Sequence, residues 1–114
     1  MAGNPIATFG TPTVIVDGAT QTIDASSGSF AIWTLGATRT VSTFLNPAPG
    51  QVFYLEVRQD ATGSRLLTWP SNVNWPAATA PTLTTTASKR DKFAFIYNPT
   101  SATWDGYTIG LNYT

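Results

Sequence analysis

Neither cysteine nor histidine occurs in this chain, and methionine occurs once. Without cysteine there is no disulfide framework, no thiolate nucleophile and no Cys-ligated zinc. Without histidine the commonest general base and the commonest metal ligand are missing, so Ser64, Ser71 and Ser101 have no partner for a Ser-His-Asp triad. Charge is also scarce. Charged residues make up 11% of the chain, against about 25% in an ordinary globular protein. Six cations face six carboxylates, for a net charge of zero, which is not the basic footprint of a nucleic-acid or anionic-membrane binder. No run approaches the about 18 apolar residues that read as a spanning helix. The opening segment MAGNPIATFGTP lacks the basic and apolar regions of a secretory signal, so synthesis and folding in the cytoplasm are expected.

What is present is β-forming. The 114 residues suffice for one domain, whose core at this size buries about 65% of the unfolded surface without a metal or disulfide. Thr, Ser, Asn and Gly take the place of surface charge. Such a surface fits either a chain covered by neighbours or a Thr-rich β protein solvated by its hydroxyls.

Residues 1–12 mix Gly, Pro and Ala around the isolated apolar Ile6 and Phe9. They read as an N-terminal arm, with Ile6 and Phe9 as partner-binding anchors or as a first edge strand on the chain's own domain. Residues 13–114 read as one β domain. TVIVD at Thr13–Asp17 and ATQTID at Ala19–Asp24 suggest a hairpin across Asp17-Gly18. SFAIWTL at Ser29–Leu35 and ATRTVSTFL at Ala37–Leu45 follow. QVFYLEVRQ at Gln51–Gln59 is the cleanest strand: Phe53, Leu55 and Val57 face the core, while Val52, Tyr54, Glu56 and Arg58 grade into solvent. RLLTW at Arg65–Trp69 predicts a strand, Ser71–Ala80 a loop and PTLTTT at Pro81–Thr86 an edge strand. KFAFIYN at Lys92–Asn98 puts Phe93, Phe95 and Tyr97 on one face, and Ala102–Asn112 returns with a bend at Asp105-Gly106. No stretch carries a helical stripe. The pattern predicts an all-β, antiparallel two-sheet sandwich, jelly-roll or Ig-like, with no helix of note and no internal repeat.

Chemistry is thinly represented. Of the carboxylates, Asp17, Asp60 and Asp105 sit in Gly-containing turns, and Asp91 lies among Lys89, Arg90 and Lys92, where a salt bridge is the expected role. There is no EF-hand spacing, phosphate loop or dinucleotide motif. No catalytic residue, cofactor or metal site is expected, and the chain does not read as an enzyme. Four tryptophans remain. Trp33 and Trp104 lie on strands and read as core or interface. Trp69 and Trp75 each precede a proline, at the two ends of one loop. They either contact a sugar face or plug one end of the sandwich, their indole N–H groups bonded to loop carbonyls.

Gln59-Asp60 with its following Gly turn, Leu67-Thr68-Trp69-Pro70, Trp75-Pro76, Ala80-Pro81-Thr82-Leu83, Phe95-Ile96-Tyr97 and Thr103-Trp104 form a spaced pattern over a little more than half of the chain. This stretch resembles a small β module of tailed-bacteriophage virion proteins, found in tail-fibre and capsid-surface proteins. The resemblance implies a structural virion protein. In a chain this short it points to an outer-capsid decoration (cement) protein, with the major capsid protein and copies of itself, as a homotrimer, for partners. A tail-fibre or receptor-binding tip, with Trp69 and Trp75 on host surface glycan, is the alternative.

Overall fold

The computed structural model describes residues 11–114. Ile6 and Phe9, and most of the expected arm, lie outside the described residues. Nine strands follow: β1 (Thr13–Val14), β2 (Thr20–Asp24), β3 (Phe30–Leu35), β4 (Arg39–Leu45), β5 (Val52–Gln59), β6 (Leu67–Thr68), β7 (Val73–Asn74), β8 (Arg90–Asn98) and β9 (Thr103–Tyr113). The only helical pieces among the described residues are two 3-10 turns, Ala25–Ser27 and Pro76–Ala78.

The strands build two sheets, a larger one in the order β1-β3-β5-β8-β9-β7 and a smaller one in the order β2-β4-β6. Up to β6 the chain alternates between them. Odd strands join the larger sheet, even strands the smaller, and every pairing among these six is parallel. This is the path of a short parallel solenoid, each coil laying one strand on each sheet beside the coil before it. The all-β class and the two sheets are as the sequence predicts. The antiparallel jelly-roll or Ig-like pairing is corrected: among the described residues antiparallel ladders occur only where β8 returns along β5 and β9 along β8. The expected Asp17-Gly18 hairpin is corrected too, since β1 and β2 lie in different sheets.

Side-chain alternation explains the packing. Ala31, Trp33 and Leu35 from β3, Phe53, Leu55 and Val57 from β5, Phe93 and Phe95 from β8 and Trp104 from β9 point inward to meet Ile23 of β2 and Val41 and Phe44 of β4 in one core. Phe44 packs edge-to-face against Phe53, Phe95 and Trp104, at centroid distances of 6.0, 4.8 and 5.8 Å, a geometry worth about 0.5–1.5 kcal/mol per pair beyond buried area.

The smaller sheet has only three strands, so it leaves part of the inner face of β8 and β9 uncovered. Trp69, Trp75 and Leu83 take that place. The segment that carries them differs from its reading. Arg65–Trp69 shrinks to the two-residue β6, and the expected loop contains β7, paired with β9 through Val73–Trp104 and Asn74–Asp105. Pro81–Thr86 forms no strand. Its backbone bonds outside any ladder instead: Thr84 N–H donates to Asp91 Oδ2 at 2.7 Å, and Thr85 O accepts from Ser64 N at 2.7 Å. The expected bend at Asp105-Gly106 is absent. The β8–β9 ladder is irregular opposite Arg90–Phe93 instead.

Candidate functional site: the outer face of the larger sheet

The register of β3, β5, β8 and β9 sorts the outer face into four rows. Val52, Ile96 and Asp105 form the first. Phe30, Tyr54, Ala94 and Tyr107 form the second. Ile32, Glu56, Lys92 and Gly110 form the third, and Thr34, Arg58, Arg90 and Tyr113 the fourth. The face therefore changes along the strands from aliphatic, through aromatic, to charged.

Glu56 anchors the charged end. It is 2% exposed, against the sequence expectation of a solvent-facing position. Burial pushes its carboxyl pKa up, but the hydrogen bond from Arg58 Nε and the charges of Arg58, Arg90 and Lys92 outweigh that, and the net shift is downward. Arg90 Nη1 lies 3.1 Å and Lys92 Nζ 3.5 Å from Glu56 Oε1. Three cations thus surround one carboxylate. Lys92 Nζ also sits 5.9 Å from the Phe30 ring centroid and 5.5 Å from that of Tyr113, within reach of cation–π attraction. Beside it opens a groove of about 770 Å³, with Phe30, Tyr54, Lys92, Ile109 and Pro12 among its walls.

Four of the five other carboxylates serve the fold. Asp17 accepts from Trp33 Nε1, Gly36 N and Arg39. Asp24 caps the first 3-10 turn through Ser26 N at 2.9 Å. Asp60 accepts from Thr62 N, Gly63 N and Arg65, and Arg65 with those N–H groups holds its pKa down to about 2. The salt bridge expected of Asp91 is replaced. Strand alternation turns Arg90 and Lys92 outward and Asp91 inward, where it accepts from Thr84 N and Asn112 N at 2.7 and 2.9 Å. No group of three potential metal ligands occurs among the described residues.

Trp69 and Trp75 come together. Their rings meet edge-to-face at 5.2 Å, and both pack on Phe93 and Phe95. Trp75 rests on Gly106, where a Cβ would come within 2.7 Å of its ring. The indole N–H of Trp75 has no hydrogen-bond partner among the described residues, so the expected bond to a loop carbonyl is not made. Trp75, Pro76 and Tyr107 border two shallow grooves, the smaller also lined by Asn74 and Asp105. Trp33 and Trp104 are wholly buried in the core. Sequence reasoning missed the outer-face rows, because they join residues from four strands that only the register brings side by side.

Comparison with protein-family models, curated proteins and solved structures finds no match to this chain. The virion resemblance rests on its own residues.

Proposed function

We propose that the chain is a structural protein of a phage virion: an outer-capsid decoration protein that bridges and stabilises capsid subunits and assembles as a homotrimer. One observation carries this reading. Seven of the eleven large exposed hydrophobics among the described residues (Val52, Tyr54, Ile96, Tyr107, Ile109, Leu111 and Tyr113) sit on the adjacent strands β5, β8 and β9. Val52 with Ile96 and Tyr54 with Tyr107 lie in neighbouring rows of the outer face, and exposed apolar surface gathered in this way is a mark of protein–protein contact. The low charge and the resemblance over residues 50–107 support the same reading, and the carboxylates' structural roles leave little for catalysis. Each decoration contact is modest, and a trimer repeats it, so standard-sized interfaces sum to firm attachment.

The test is add-back. Purified chain mixed with phage particles stripped of it is expected to bind and to raise the temperature at which the particles release DNA. No binding and no rise would contradict the proposal.

A second reading is a fibre-tip module contacting host glycan. The flat Trp75 and Tyr107 rings bordering a groove with Asn74 and Asp105 favour it. On that reading purified chain blocks adsorption of the phage to its host.

A further inference from the structure

The exposed face is not uniformly apolar, and its charge is lopsided. Among the described residues Glu56 is the one side-chain carboxylate at the charged end, facing Arg58, Arg90 and Lys92, and Arg90 Nη2 also donates to Thr114 O at 2.9 Å. Elsewhere, the Arg39–Asp17 and Arg65–Asp60 pairs balance one to one. Positive charge therefore collects where the aromatic row meets the charged row. Of the three cations Lys92 alone makes no hydrogen bond to Glu56, its ammonium lying near the Phe30 and Tyr113 rings. Its Nζ stands 3.5 Å from Glu56, beyond a good hydrogen bond, and forms none among the described side-chain contacts. Gly110 lies opposite Lys92 across the ladder, and the Tyr113 ring folds over it, with its centroid 5.5 Å from Lys92 Nζ. The ammonium thus retains donors beside a groove walled by Phe30, Tyr54 and Ile109.

We propose that this face docks a protein partner that sets a carboxylate side chain on Lys92, with Arg58 and Arg90 adding attraction, and lays flanking apolar side chains in the groove between Phe30, Tyr54 and Ile109. A second copy of this chain is a poor occupant: a two-fold contact here would oppose two surplus-positive ends, and a three-fold contact would need a free carboxylate from the neighbour, whereas Asp17, Asp24, Asp60 and Asp91 are already held by groups of their own chain. A heterologous surface carrying Asp or Glu among apolar residues complements both parts. The inference deepens the decoration reading and rests on it for the nature of the partner, since the capsid shell would be that surface.

The experiment is selection of a random peptide library, displayed on yeast, against the purified chain. Enriched peptides are expected to carry Asp or Glu flanked by aromatic or aliphatic residues. Synthetic versions should bind Lys92→Gln about tenfold more weakly, lose affinity with added salt, and lose it also with Tyr54→Ser. Both substitutions are at partly exposed positions, and thermal melts establish that each variant is folded. Enrichment without a carboxylate, or unchanged binding by folded Lys92→Gln, overturns the proposal. So does self-association of the wild type that Tyr54→Ser abolishes. Failure here and failure of the decoration reading are separable. Particle binding that survives Lys92→Gln and Tyr54→Ser refutes the docking face alone. Selection of acidic peptides by a chain that never binds particles refutes the decoration role alone.

Discussion

The buried Trp33 indole donates its N–H to Asp17 Oδ1 at 2.9 Å, and Arg39 holds the same carboxylate through Nε at 3.0 Å and Nη2 at 2.6 Å. Trp33 is on β3 of the larger sheet, Arg39 on β4 of the smaller, and Asp17 on the connection between the first strands of each. One carboxylate thus ties a corner of the first coil to the next coil on both sheets. Asp17→Ala leaves the indole N–H without an acceptor and is expected to destabilise the fold by about 2–3 kcal/mol. Asp17→Asn keeps one acceptor oxygen and should cost less, about 1–2 kcal/mol. Urea unfolding of both variants checks the ranking, and equal losses would contradict it.

Acid should weaken the fold in a defined window. The Arg39 hydrogen bond holds Asp17 below its ordinary value of 3.8 against an opposing push from burial, and Glu56 is held below 4.5. Asp60 is lowered from 3.8 to about 2, chiefly by Arg65. Each carboxyl binds its proton less readily folded than unfolded. Stability from these groups is therefore full above the unfolded values and declines as pH falls through the folded ones. The melting temperature should be flat near neutrality and drop below about pH 4.5. In Asp60→Asn the drop between pH 3.8 and about 2 should be shallower. An identical acid slope in that variant would contradict the assignment.

Gly106→Ala should act through Trp75. A Cβ at this position would meet the Trp75 ring at 2.7 Å, and the ring is itself wedged against Trp69, Phe93 and Phe95. The ring has little room to yield, so a loss of about 1–3 kcal/mol is expected, with a change in tryptophan fluorescence. A variant as stable as wild type with unchanged emission would show that the ring does not sit on β9.

Gln59 acts as a short piece of ladder. Only 5% exposed, its Oε1 accepts from Arg65 N and its Nε2 donates to Arg65 O, both at 2.9 Å. Gln59→Leu keeps the bulk but strands both main-chain groups, and should cost about 1–3 kcal/mol. Hydrogen exchange at the Arg65 amide should accelerate. An amide that stays protected would contradict the bond.

Trp75→Ala separates packing from recognition. Loss of the ring removes edge-to-face contacts with three aromatic neighbours, and a marked fall in melting temperature is expected, about 3–5 kcal/mol for a full truncation. A variant that keeps its melting temperature but loses retention on host polysaccharide would instead favour the glycan reading.

Part of this architecture can be read locally. Alternation in Gln51–Gln59 places Phe53, Leu55 and Val57 in the core, where they are, because pleating alone decides it. Phe93 and Phe95 follow the same rule. The topology is not local. Asp17-Gly18 has the dipeptide of a tight hairpin, but Asp17 is committed to Trp33 and Arg39, which are distant in sequence. The coils also leave no fixed period, since Thr13 pairs with Ala31 and Ala31 with Leu55 at unequal spacing. Pro81–Thr86 has strand-forming threonines, but its main chain is taken up by Asp91 and Ser64 instead of by a ladder. Glu56 looks external because it is charged. Its burial depends on Arg90 and Lys92 arriving from β8, and only Arg58 among its partners is a sequence neighbour. The site was illegible for the same reason: its aromatic row is assembled from Phe30, Tyr54 and Tyr107 on three strands.

The most direct measurement is the absolute copy number of this chain in purified phage particles, by quantitative mass spectrometry against the major capsid protein. A decoration role predicts a fixed stoichiometric ratio to that protein, with multiples of three per attachment site. Absence from the particle, or a trace amount unrelated to the capsid count, would contradict it.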